Sequence, residues 1–161
     1  MPTFSSAAEL KAYILSKSYT AVNNATNTAH DILEEKVDAF YRSEPDYYLR
    51  TGRLRSSLTN PVVTSSGSGV EGEVHFDEGA LSYQQGFVLL KQPLNGSWYG
   101  YANYAENGGS MGILNAAMTG AAGGLKWTNG TAIWNESVPE LQGKMYDEIK
   151  KDLIAAGIPI S

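Results

Sequence analysis

Cysteine is missing from all 161 residues. Its absence excludes disulfides, zinc–thiolate sites and thiol nucleophiles, and it suits a chain made in a reducing cytoplasm. Long apolar runs are missing too. None nears the roughly 20 residues that cross a bilayer, so no membrane partner is expected. The opening Met1-Pro2-Thr3-Phe4-Ser5-Ser6 has neither the basic nor the apolar region of a secretion signal. The Asn-x-Ser/Thr triplets at Asn24, Asn95, Asn129 and Asn135 therefore read as turn and cap residues rather than glycan sites. Positive charge is scarce: 12 Lys and Arg against 17 Asp and Glu leave a net charge of −5. Proteins that grip nucleic acid do so by releasing counterions with Lys and Arg, and this balance argues against that task. The few arginines stand together, at Arg42, Arg50, Arg53 and Arg55. So local a basic patch in an acidic chain suggests a contact surface; a solvated basic turn is the plainer alternative.

The length suits one domain, 1–161. Residues 6–42 read as a long helix. Ser6 and Glu9 have capping-box spacing, and Leu10, Ile14, Ala21, Ala25, Ala29, Ile32, Leu33, Val37 and Phe40 recur mostly at three- and four-residue steps. The stretch from Val22 to Thr28 is poor in strong helix formers and offers a place for a kink. Pro45 closes the helix, because the residue before a proline avoids the helical region.

Residues 60–104 read as strands and hairpins. Val62-Val63-Thr64-Ser65 runs into the turn signal Ser66-Gly67-Ser68-Gly69. Val70, Gly72, Val74 and Phe76 then alternate with Glu71, Glu73, His75 and Asp77, as on a strand with one buried face. Phe87-Val88-Leu89-Leu90 suits a buried strand, and Asn95-Gly96 is a hairpin signal before Trp98-Tyr99-Gly100-Tyr101. Residues 105–134 read as a Gly/Ala-rich loop and a further hairpin, centred on Asn129-Gly130 between Lys126-Trp127-Thr128 and Thr131-Ala132-Ile133-Trp134. Gly108 to Gly124 carries no charge. It reads as a mobile loop or as a short helix around Ile113 to Met118, and is expected to order against a partner. Residues 137–156 form the last expected helix, with Ser137 and Glu140 as a capping box, Pro139 in the first turn, and Leu141, Met145, Ile149 and Leu153 at four-residue steps. Gly157 and Pro159 end it. The fold class is α+β, with a long N-terminal helix and a C-terminal helix packed on one face of a mostly antiparallel sheet.

The search for chemistry yields no catalytic residue, no cofactor site and no metal site. Gly67, Gly69 and Gly72 match G-x-G-x-x-G, but a dinucleotide site needs those glycines before a helix, and a strand pattern follows them here. They read as a hairpin turn. His30 is a helix-surface residue beside the apolar stripe. His75, with Glu73 and Asp77 two residues to either side, has the donor types for a metal and reads more plainly as a charged strand face. No G-x-S-x-G, H-E-x-x-H or P-loop spacing occurs. The chain is expected not to be an enzyme.

The segment Tyr48-Leu49-Arg50-Thr51-Gly52-Arg53-Leu54-Arg55-Ser56-Ser57-Leu58, followed by Tyr101-Ala102-Asn103-Tyr104-Ala105-Glu106-Asn107-Gly108 and a C-terminal helix, resembles a family of tailed-bacteriophage tail-completion proteins, also known as minor tail components. In that family a long helix leads into an Arg-Thr-Gly-x-Leu-Arg-x-Ser-apolar segment. A hairpin, a Tyr-Ala-x-Tyr-x-Glu-x-Gly segment and a last helix follow. The likeness spans about residues 6 to 156. Asn107 departs from the family's apolar residue. So does the long Gly/Ala-rich stretch, and Ile133-Trp134-Asn135-Glu136-Ser137-Val138-Pro139 replaces the family's Arg-Pro-Phe-Leu-like lead into the helix.

On its own residues the segment suits such a role. Thr51-Gly52 makes a tight turn, Leu54 and Leu58 plug the junction of helix and sheet, and Arg50, Arg53 and Arg55 face outward toward carboxylates. Glu106 is a candidate partner for an arginine, either across a subunit boundary or within one chain. The resemblance implies a structural virion protein at the head–tail junction, made in the host cytoplasm. It would form a ring, most simply a hexamer, that contacts the head-connector or stopper protein and the tail terminator or tail tube. DNA would pass through without being specifically bound. The motif residues it marks are Tyr48, Arg50, Thr51, Gly52, Arg53, Leu54, Arg55, Tyr101, Tyr104, Glu106 and Gly108. A tail terminator ring is the neighbouring reading. A small binding module using its ten tyrosines and three tryptophans is the reading from another class.

Overall fold

The structure is a computed structural model that describes residues 2–42, 52–77, 79–80, 89–91, 98–100, 121–122, 125–126 and 133–160. Its elements are helix α1 (Ala7–Arg42), a short helix α2 (Arg53–Ser57), strands β1 (Val62–Ser66), β2 (Gly69–Glu73), β3 (Leu89–Lys91), β4 (Trp98–Gly100), β5 (Ala121–Ala122) and β6 (Leu125–Lys126), and helix α3 (Ile133–Ala155). Three antiparallel ladders pair β1 with β2, β3 with β4 and β5 with β6, so the chain is α+β. It divides into two compact units. Unit 1 comprises residues 1–32, 60–74 and 139–161, and unit 2 comprises 33–59 and 75–138.

In unit 1, α1 opens as the Ser6–Glu9 spacing predicts. The Ser6 hydroxyl accepts from the Glu9 N–H at 3.2 Å, while the Glu9 carboxylate reaches back to the N–H and hydroxyl of Ser5 at 2.9 and 2.8 Å. These bonds from Ser5, its N–H first and its hydroxyl second, hold the Glu9 carboxyl below its ordinary range. The helix runs unbroken through Val22–Thr28. What carries it past those weak helix formers is packing: Ala21, Ala25 and Ala29 are buried, and so is Thr26, whose hydroxyl donates to the Val22 carbonyl at 2.7 Å.

The small side chains admit the β1–β2 hairpin at close range. Gly72 lies so near the helix that a Cβ there would sit 2.0 Å from Thr26 Oγ1. Helix α3 approaches α1 in the opposite direction: the Tyr13 hydroxyl donates to the Ala156 carbonyl at 2.7 Å, and Asn24 Nδ2 donates to Asp152 Oδ2 at 2.7 Å. Gly157, at φ +78°, ends α3 with N–H bonds from Gly157 to Ile154 and from Ile158 to Leu153, a Schellman closure.

The apolar stripe of α1 is covered only from Ala21 onward. Leu10 and Ile14 remain 41% and 39% exposed.

In unit 2 the core is Val37 and Phe40 from α1, Leu54 from α2 and Ile133 from α3, with Tyr41 and Phe76 against them. Leu58 bridges Phe76, and Thr59 holds His75 through a 2.8 Å backbone bond. Val70, Val74 and Phe76 are half-buried while Glu71, Glu73, His75 and Asp77 are exposed, as the alternation predicts; Gly72, on the half-buried side of the pattern, is exposed, and β2 itself ends at Glu73. Leu89 pairs with Gly100 and Lys91 with Trp98, the antiparallel arrangement expected around Asn95-Gly96.

Two expectations are corrected. A ladder joins 121–122 to 125–126, while the turn of the hairpin expected at Asn129-Gly130 lies outside the described residues and the end of its second strand is not a strand. Ile133 and Trp134 are helical, so α3 begins four residues before Ser137. Ser137 is not a cap: it is wholly buried inside the helix, and its hydroxyl donates to the Ile133 carbonyl. Ile133 extends the four-residue apolar step of Leu141 backward through Ser137, and its burial in the core starts the helix early. Pro139 therefore stands inside the helix, not in its first turn.

Candidate functional site

The arginine segment that the sequence singles out lies in unit 2. Gly52 takes φ +80° and ψ −6°, a left-handed conformation that costs a side-chain-bearing residue about 1–2 kcal/mol. Its carbonyl accepts the N–H groups of Arg55 and Ser56 at 3.1 and 3.3 Å, which starts α2 without a side-chain cap. The one turn of helix then divides its residues by side. Leu54 enters the core, and Ser57, fully buried, donates its hydroxyl to the Leu54 carbonyl at 2.8 Å. Arg55 points out.

Arg55 meets the end of α1. Its guanidinium pairs with Asp38 and lies 5.5 Å from the centre of the Tyr41 ring, which itself stands edge-on to Phe40 at 5.5 Å. The short helix is thus held by an apolar plug beneath and a surface ion pair above. With Arg55 and Asp38 side chains 56% and 43% exposed, that pair is worth only about 0–1 kcal/mol. Arg42, exposed at the last residue of α1, is one turn from Asp38 on the same helical face. Glu34, exposed one turn before Asp38, stands on that same face.

Of the expected site residues, the structure brings Gly52, Arg53, Leu54 and Arg55 together in this step. Tyr48, Arg50, Thr51, Tyr101, Tyr104, Glu106 and Gly108 lie outside the described residues, as does most of the Gly108–Gly124 stretch. Asp38 and Tyr41 are the contacts that sequence reasoning missed. The available signal was helical spacing: Asp38 and Tyr41 flank the Val37–Phe40 stripe on the side nearer Arg42.

The other candidates are dispersed. His30 Nδ1 is 3.8 Å from Asp31 Oδ1 on α1. Asp77 is engaged by the Gly79 N–H at 2.8 Å, and the His75 backbone is tied to Thr59. Gly67 forms the hairpin turn and Gly69 and Gly72 lie on β2, which is not the strand-to-helix setting a pyrophosphate needs. Trp134 and Tyr146 are exposed but twelve residues apart along α3, too far to form one aromatic platform. Among the described residues no helix is long and apolar enough to cross a membrane. No family model, curated protein or solved structure matches the chain.

Proposed function

We propose that this chain is a structural protein of a tailed bacteriophage that completes the end of the tail and joins it to the head connector, as a ring around the DNA channel. The observation that supports this reading is the build of residues 52–58. Apolar Leu54 fixes the segment to the fold while Arg55 stays exposed beside Asp38 on an acidic chain. Exposed guanidinium groups on a rigid step suit planar, bidentate contact with carboxylates of another protein. A ring requires two different patches of one subunit to match, and an acidic protein does not hold the phosphates of passing DNA.

The test is to delete the gene in the phage that encodes the chain and examine the lysate by electron microscopy. Filled heads and finished but unjoined tails are expected, and the supplied protein should restore joining. Joined, infectious particles without the chain would refute the reading.

A further inference from the structure

The β1–β2 hairpin of unit 1 has two edges, and neither strand has a second neighbour among the described residues. The register fixes which backbone groups are open. Ser66 and Gly69 flank the two-residue turn and form its first hydrogen-bonded pair, so Thr64↔Glu71 and Val62↔Glu73 follow as hydrogen-bonded pairs. The N–H and C=O groups of Val63 and Ser65 therefore point away from β2, and those of Val70 and Gly72 point away from β1. Side chains alternate the other way. Gly72 faces Thr26 of α1, which leaves Val62, Thr64, Ser66, Glu71 and Glu73 on the outer face.

The two edges differ in charge. Strand β2 carries Glu71 and Glu73, and a carboxylate row discourages a like strand from pairing there. Strand β1 reads Val-Val-Thr-Ser-Ser, has no charged residue, and leaves Val62 54% exposed. Uncharged, β-branched over its first three residues and without a second neighbour among the described residues, it is blunted only by Pro61 just before it.

We infer that β1 of one copy pairs antiparallel with β2 of the next copy, so that the hairpins continue one sheet from subunit to subunit; this rests on the ring reading above. The pairing repeats the register already present inside the hairpin. Val63 meets Gly72 of the next copy and Ser65 meets Val70, each pair exchanging hydrogen bonds through groups that are open in the single chain. Glu71 and Glu73 then lie beside Thr64 and Val62 rather than beside other carboxylates. Pairing β2 with β2 would set carboxylates against each other. Pairing β1 with β1 would close a two-fold dimer whose remaining edges are both β2, the carboxylate-bearing strand.

The absence of native cysteine makes the test direct. Thr64 and Glu71 of adjoining copies would form a non-hydrogen-bonded pair with Cα atoms about 4.5 Å apart, within disulfide reach. Thr64→Cys and Glu71→Cys proteins are prepared separately, then oxidised at high concentration alone and mixed. Disulfide-linked dimers are expected in the mixture and not in either protein alone. Adding Ser65→Pro to the Thr64→Cys chain removes an outward N–H at an edge position that tolerates proline. It should abolish the cross-link while circular dichroism and Tm stay as before. Dimers of Thr64→Cys alone would overturn the inference in favour of β1–β1 pairing. No cross-link in any sample, or one that survives Ser65→Pro, would also overturn it. The deletion experiment reads joining and this one reads only strand edges, so failure of the cross-link leaves the proposed role in joining intact.

Discussion

Replacing Gly72 with alanine tests the contact on which unit 1 is built. In an ordinary strand this change stabilises by about 0.4–1 kcal/mol, because the unfolded chain loses freedom. Here the new methyl would lie 2.0 Å from Thr26 Oγ1 and 2.9 Å from Val22 Cγ1, and something must move. If Thr26 rotates, its buried hydroxyl gives up the 2.7 Å bond to the Val22 carbonyl, at about 1–3 kcal/mol. If the hairpin lifts instead, the strain of overpacking is about 1–3 kcal/mol. Either route outweighs the entropic gain, and a net loss of about 2 kcal/mol is expected. For a chain of this size that lowers Tm by about 4–8 °C.

Urea denaturation followed by circular dichroism, in native and Thr26→Ala backgrounds, separates this clash from other causes. Thr26→Ala deletes the atom that the new methyl meets first, so Gly72→Ala should cost at least about 1 kcal/mol less in that background. A cost below about 0.5 kcal/mol in the native background, or the same cost in both, would mean that the hairpin does not lie against α1.

Gly52→Ala should destabilise unit 2 by about 1–2 kcal/mol, with Gly52→Asn milder because asparagine tolerates the left-handed region; equal costs would dissociate the effect from φ. Arg55→Ala should cost no more than about 1 kcal/mol in Tm measurements yet lower infectious titre, and a large Tm drop would assign the guanidinium to the fold alone. Asn24→Ala should cost about 1.5–3 kcal/mol through the lost charge-assisted bond to Asp152, read by denaturant midpoint, and should cost much less when Asp152 is already alanine. The Glu9 carboxyl, lowered by its Ser5 bonds, favours the folded helix end at pH above the ordinary glutamate value of about 4.3 and ceases to do so as pH falls through the lowered value. An NMR titration of Glu9 should therefore rise toward the ordinary value in Ser5→Pro, which removes both donors.

Elements governed by local rules were legible in the sequence. The Ser6–Glu9 spacing located the start of α1, Gly157 its counterpart at the end of α3, and Ser66-Gly67-Ser68-Gly69 the β1–β2 turn. Each depends on backbone groups within five residues of one another. The errors arose where a local signal met a tertiary one. Ser137 with Glu140 reads as a capping box in isolation. Burial of Ile133 in the unit 2 core drew the helix back one turn and made Ser137 an interior residue. Leu10 and Ile14 carry the same periodic signal as Ala21 and Ala25 yet stay exposed, and periodicity cannot say which part of a stripe is covered.

The candidate site shows the same division within a single turn of helix. The need for glycine at position 52 was legible, because a tight turn before an apolar–charged alternation demands backbone freedom. Burial of Leu54 was legible from its spacing to Leu58. The fate of Arg55 was not, because it depends on Asp38 and Tyr41, which come from a separate helix fourteen or more residues upstream. That pairing changes what the arginine offers. A guanidinium already facing a carboxylate is pre-positioned, and Asp38 satisfies only some of its five donors. A carboxylate arriving from another protein would meet a fork held beside the Tyr41 ring. It would lose less side-chain entropy on binding than a free arginine requires. The exposed pair with Asp38 therefore contributes little to folding, and under the proposed role its effect would lie in the geometry of contact.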